Sequence, residues 1–188
     1  LTAEFGEYIE IQNVGDTTID PRSLVIEILE SNERIAVDPI VASPEEEAVV
    51  QGLRPIKPGD FFLFLRADDP YYQITDNLEP GTFYEYGRWN RSISLPNQSR
   101  TIRLVELRED WRFIVHHEVG WRQGSLVDLS ERSQIRLDLR KDIALGLRPE
   151  ITTTDEAADP RNWCYHVLSF SSGPLRGSPG GPTPEGCL

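Results

Sequence analysis

Apolar residues in this chain recur at every second position in short runs, and nowhere do they hold a sustained 3.6-residue period. That property restricts the fold more than any other, because side chains alternate between the two faces of a strand but stack every three or four residues along a helix. The cleanest example is Ser133-Gln134-Ile135-Arg136-Leu137-Asp138-Leu139-Arg140, with Ile135, Leu137 and Leu139 on one side and the charges on the other. Near the beginning, Glu7-Tyr8-Ile9-Glu10-Ile11-Gln12-Asn13 sets Ile9 and Ile11 against Tyr8, Glu10 and Gln12. Asn13-Val14-Gly15-Asp16 then supplies turn chemistry, since Gly tolerates positive φ and Asn or Asp bonds its own backbone.

The same grammar continues along the chain. Leu24-Val25-Ile26-Glu27-Ile28-Leu29 places Leu24, Ile26 and Ile28 on one face, and Ser31-Asn32-Glu33-Arg34 turns it back into Ile35-Ala36-Val37 as a hairpin. Lys57-Pro58-Gly59-Asp60 is a strong turn signal ahead of Phe61-Phe62-Leu63-Phe64-Leu65, which is apolar on both faces and therefore reads as a central strand covered on both sides. In Thr101-Ile102-Arg103-Leu104-Val105-Glu106-Leu107, Ile102 and Leu104 point inward and Arg103 outward. In the run from Trp111 to Val119, alternation puts Phe113, Val115 and Val119 on one face. Short helical turns are expected at 51–54 and 142–147, and Trp163 is expected on a short strand that plugs one end of the core. Short strands separated by Gly, Pro and Asn turns predict an all-β sandwich or barrel.

With 188 residues the chain reads as a single domain over 1–188, in which 171–188 is a Gly/Pro/Ser tail. No apolar run approaches the roughly 18 residues a membrane span needs. The net charge of −12 repels phosphate backbones and argues against nucleic-acid binding. There is no Met, so Leu1 is expected not to be a native start, and any signal peptide or lipid anchor is expected upstream. Two cysteines, Cys164 and Cys187, are expected to form a disulfide that pins the tail and contributes about 3 kcal/mol. Such a bridge implies an oxidising, extracytoplasmic setting: periplasmic, cell-surface or secreted.

Taken in order, these motifs resemble the lamin tail domain family, an immunoglobulin-like β-sandwich found at the end of nuclear lamins and in bacterial surface and secreted proteins. The resemblance rests on Glu7-Tyr8-Ile9-Glu10-Ile11-Gln12-Asn13, on the strand introduced by Pro58-Gly59, and on Leu95-Pro96-Asn97 ahead of Ile102-Arg103-Leu104. It continues through Ser133-Gln134-Ile135-Arg136-Leu137, Asn162-Trp163 and Gly177-Ser178-Pro179-Gly180. The chain departs from the family at Asp20-Pro21-Arg22-Ser23-Leu24, where an Asp-Leu-x-Gly-Trp pattern is usual, and in the long loops at 39–53 and 67–90. The resemblance implies an immunoglobulin-like antiparallel β-sandwich with long loops, used as an accessory module.

Residues with chemistry of their own are few. His116-His117-Glu118 invites a metal, but strand neighbours point to opposite faces, so both imidazoles reach one ion only across a bulge. Asp68 and Asp69, with Asp76 and Glu79, are weak candidates for Ca²⁺ and match no calcium-loop pattern. No Gly-x-Ser-x-Gly, Walker or dinucleotide motif appears, so no catalytic residue and no cofactor is expected. Tyr71, Tyr72, Phe83, Tyr84, Tyr86 and Trp89, with Arg88 and Arg91, form the best candidate contact surface, because aromatic side chains combine apolar area with polar tips. The expected function is a non-catalytic module that binds a protein or cell-surface glycan. The alternative is an accessory domain of a secreted hydrolase such as a nuclease or phosphoesterase. Lamina-like DNA binding fits the charge poorly.

Overall fold

A computed structural model describes residues 8–37, 52–66, 78–86, 99–108, 112–122, 125–127, 134–138, 145–148, 150–157 and 159–166. These residues form an all-β protein. The strands are β1 (Tyr8–Gln12), β2 (Leu24–Ile28), β3 (Glu33–Ala36), β4 (Phe61–Arg66), β5 (Phe83–Tyr86), β6 (Ser99–Leu107), β7 (Phe113–Arg122), β8 (Ser125–Val127), β9 (Gln134–Asp138), β10 (Leu145–Leu147) and β11 (Trp163–Tyr165). A single turn of helix, α1 (Thr154–Ala157), precedes β11. The strands assemble as β1-β4-β5, as β3-β2-β6-β7-β8-β9 and as the pair β10-β11.

The first two sheets pack face to face. Leu24, Ile26 and Ile28 of β2 and Ile35 of β3 meet Phe62 and Phe64 of β4 and Tyr84 of β5 in one core, with Ile9, Ile11, Ile102 and Leu104 packed against it. Leu63 and Leu65, on the opposite face of β4, are covered by Tyr8, Leu78 and Phe83. The all-apolar run at 61–65 therefore lies between two strands, with one face in the inter-sheet core and the other packed against Tyr8, Leu78 and Phe83.

One pair departs from antiparallel expectation: β4 and β5 run parallel, Leu63 opposite Phe83 and Arg66 opposite Tyr86. Parallel strands need a crossover of a dozen or more residues, which accounts for the length of 67–82.

Asn13 joins the end of β1 to the Lys57–Asp60 turn. Its Nδ2 donates to the carbonyls of Thr17 (2.8 Å) and Ile56 (3.0 Å), and its Oδ1 accepts from Gly15 N–H at 3.1 Å. Its backbone N–H donates to Asp60 O, and its carbonyl accepts from Gly59 N–H. Gly59, at φ 86°, follows Pro58 in the turn closed by Asp60 N–H to Lys57 O, the arrangement in which only the second central residue needs positive φ.

A short code is used twice to launch a strand. Asp20-Pro21-Arg22-Ser23 before β2 and Asp159-Pro160-Arg161-Asn162 before β11 each make one 3-10 turn. The Asp carboxylate accepts from the Arg N–H two residues on (3.0 and 2.9 Å), and the Pro, which lacks an N–H to satisfy, is buried. The Asp-Pro-Arg-Ser departure noted in the sequence is thus a strand-launching turn.

Three expectations are corrected. Residues 145–147 are strand β10, held by pairing with β11, and 52–54 form a turn at Gly52 (φ 99°) without helix. The helix lies instead at α1, where Thr153 Oγ1 accepts from Glu156 N–H at its start. In β7 the alternation breaks: Leu104 pairs with His117 but Val105 with Val115, so His116 is an extra, bulged residue. The bulge shifts the phase by one, and Val119, opposite Ile102, faces the side away from Phe113 and Val115.

Candidate functional site

The aromatic surface read from the sequence is divided by the structure. Tyr84 is corrected outright: it is 1% exposed, with its ring edge-on to Phe64 at 6.4 Å, and serves the core. The alternation of β5 requires this, since Phe64 faces the inter-sheet core and Tyr84 is its parallel neighbour. Phe83 packs against Leu63 and Leu65. Tyr86 closes β5 opposite Arg66, while Tyr71, Tyr72 and Trp89 lie outside the described residues. The parallel register has one functional consequence. Arg66 and Tyr86 end adjacent strands at the same end of the sheet, so the segments carrying Tyr71 and Tyr72 and carrying Trp89 leave from neighbouring points.

Asp68, Asp69 and Asp76 also lie outside the described residues, and Glu79 is paired with Arg54 at 3.0 Å on the surface. Among the described residues no three His, Cys, Asp or Glu side chains gather as a metal would require.

His116, His117 and Glu118 go three separate ways, although the bulge that would let the imidazoles converge is present. His116 Nε2 meets Glu106 Oε2 at 2.9 Å, and Arg108 approaches the same carboxylate oxygen at 3.2 Å. Glu118 accepts from Arg103 at 2.6 and 2.7 Å. His117 stacks on Trp163, ring centroids 6.4 Å apart and planes 22° from parallel. Burial holds the His117 pKa below its ordinary value against the opposing pull of the Ala157 carbonyl, which also accepts from Trp163 Nε1 at 2.8 Å. His117 Nε2 is buried without a hydrogen-bond partner. His166, 4% exposed, is likewise depressed by burial. Cys164 is fully buried, its Sγ 3.6 Å from the Gly146 carbonyl, and Cys187 lies outside the described residues.

Two rows cross the outer face of the six-stranded sheet. One alternates charge, with Arg34, Glu27, Arg103 and Glu118 in register on β3, β2, β6 and β7. Arg34 lies 3.0 Å from Glu27, and Arg103 bridges toward Glu27 at 4.0 Å. The next row is apolar. Ala36, Val25 and Val105 are 2%, 1% and 1% exposed, whereas Val115, their neighbour on β7, is 52% exposed.

Phe113 (43%) and Ile114 (40%) are exposed beside Val115. Among the described strands this half of β7 has a neighbour on one side alone. β8 pairs only with Gly120, Trp121 and Arg122, and no described strand pairs with 113–119 on the side away from β6. The sequence reading placed Phe113, Val115 and Val119 together on one face, without assigning that face to solvent. The available signal was Arg112-Phe113-Ile114-Val115-His116-His117, where three β-formers meet two imidazoles without clean alternation, a pattern that accompanies bulges and edges.

No described helix is long and apolar enough to cross a membrane. No protein-family model, curated protein or solved structure matches the chain.

Proposed function

We propose that this chain is an interaction module of a secreted or surface-attached protein, an immunoglobulin-like sandwich of the lamin-tail type that binds a protein or glycan through its long loops. The observation that carries this reading is the parallel β4–β5 pair, which starts the Tyr71/Tyr72 and Trp89 segments from adjacent strand ends of a rigid sheet. The ordered motifs from Glu7 to Gly180 support the family resemblance, and the face-to-face packing of two sheets is compatible with it. An extracytoplasmic setting is supported by Cys164: no described cysteine is free, and the chain has one other, Cys187.

The test is a glycan and surface-protein binding screen of the parent chain against the triple variant Tyr71→Ala, Tyr72→Ala, Trp89→Ala. The reading expects binding by the parent, a loss of about tenfold or more in the variant, and an unchanged melting temperature. Hydrolysis of a nucleic-acid or phosphoester substrate by the isolated chain would instead establish the accessory-hydrolase alternative. A thiol titration under denaturing, non-reducing conditions checks the compartment; two titratable thiols would remove the argument for it.

A further inference from the structure

We propose that β10, α1 and β11 form an acid-released flap, held over the inner face of β7 by the stack of a neutral His117 on Trp163. The flap is sewn to itself. Arg148 N–H donates to the Asn162 carbonyl, Asn162 Nδ2 to the Glu156 carbonyl and Trp163 Nε1 to the Ala157 carbonyl, each at 2.8 Å. β10 pairs with β11 as a sheet apart from the other two. Such a unit opens as one piece, without breaking the ladders that hold the sandwich.

His117 is where the flap meets the six-stranded sheet. It is the partner in register of Leu104, and Leu104 packs on the inter-sheet core, so the imidazole lies on the inner face, against Trp163. The turn before β11 also lies beside β9. His117 Nε2 is buried without a hydrogen-bond partner. A second proton on the ring sets a charge out of water and an N–H with no acceptor, a cost removed when the flap lifts. The Ala157 carbonyl favours that proton, but it already accepts from Trp163 Nε1. The stack compensates little, because 6.4 Å exceeds the reach of about 6 Å within which a cation is drawn to an aromatic face.

The charges around the ring are engaged elsewhere. On β6, Glu106 bonds His116 and Arg108, and on β7, Glu118 bonds Arg103. In α1, Asp155 and Glu156 are exposed, and Glu156 accepts from Thr153 Oγ1 at 2.7 Å. The flap's cations turn to its own acceptors, Arg148 to the Arg161 carbonyl and Arg161 to Asp159. His166, directly after β11, is buried and held below its ordinary pKa by that burial, so its protonation acts in the same direction as that of His117. The closed flap thus prefers both rings neutral. Its hold is complete above about pH 6.5 and weakens as pH falls through the depressed values.

The test is native-state hydrogen exchange by NMR on the isotope-labelled full chain, with intrinsic rates corrected for pH. The amides of Leu145–Leu147 and Trp163–Tyr165 should open about tenfold or more often at pH 5 than at pH 7.5, with a ceiling of about thirtyfold for each histidine freed to its ordinary pKa. The amides of 62–65 should stay slower at both pH values. The rise in the parent should exceed that in His117→Gln by about tenfold. His117→Phe, which keeps a ring against Trp163 but takes no proton, should lose the same pH response and guards against a packing defect in the first variant. No rise in the parent, a flap that exchanges only together with β4, a rise equal in the parent and both variants, or a rise abolished by His166→Gln alone would overturn the proposal.

Discussion

β4 and the first half of β7 look alike in composition and end in opposite environments. Phe61-Phe62-Leu63-Phe64-Leu65 and Phe113-Ile114-Val115 are both uninterrupted runs of strand-forming apolar residues. Phe64 is 0% exposed and Val115 is 52%. The difference comes from neighbours. β4 has β1 on one side, β5 on the other, the inter-sheet core against one face and Tyr8, Leu78 and Phe83 against the other, whereas the start of β7 has β6 alone among the described strands. An apolar run thus specifies a strand, but its place in the sheet is decided by what the rest of the chain can bring alongside.

The largest effect should come from truncating the buried member of the comparison. Phe64→Ala empties a site between Phe62 and Tyr84 and is expected to cost about 3–5 kcal/mol in urea unfolding. A loss below about 1 kcal/mol would mean that β4 is not the centre of the core.

Asn13→Ala leaves the carbonyls of Thr17 and Ile56 and the N–H of Gly15 without their side-chain partner and should cost about 3 kcal/mol, by the same measurement. That variant asks whether the sheet holding β4 depends on its link to the Lys57–Asp60 turn.

Gly81→Ala should cost about 2 kcal/mol, because φ is +88° and an added Cβ would lie 2.5 Å from the Gly52 carbonyl. Gly52→Ala, with φ +99° but open space around it, should cost about half as much.

A smaller effect is expected from pH. His117 and His166 have pKa values held below 6.5 by burial, so the unfolded chain binds their protons more readily than the folded one. Their contribution is complete above about pH 6.5 and is lost as pH falls through the depressed values. The melting temperature should therefore drop between about pH 7 and pH 5, and His117→Gln with His166→Gln should flatten that slope. At the other end of the comparison, Val115→Lys should change stability by less than about 0.5 kcal/mol, since the site is already in water.

Much of the scaffold was legible in the chain. Strict alternation at Ile9 and Ile11, at Leu24, Ile26 and Ile28, and at Ile102 and Leu104 identified the inward faces, and all of these residues belong to the observed core. Pro58-Gly59 marked its turn because the φ requirement is local. What pairing decides stayed out of reach. The parallel β4–β5 register, which buries Tyr84, depends on a crossover that no local pattern announces. The His116 bulge follows from matching β7 to β6, and alternation read along β7 alone assigns Val119 to the wrong face. Asn13 was seen as a turn former, but its role as the link between β1 and the Lys57–Asp60 turn needs Ile56, Gly59 and Asp60 in place.

Native-state hydrogen exchange on the unliganded chain compares the two strands directly. The amides of Phe62, Leu63, Phe64 and Leu65 should exchange only through global unfolding, because both sides of β4 are paired. Between Phe113 and Val119 the amides directed away from β6 should exchange through local fluctuation, orders of magnitude faster. Equal, global protection along both strands would show that the β7 edge is already occupied and would contradict the account.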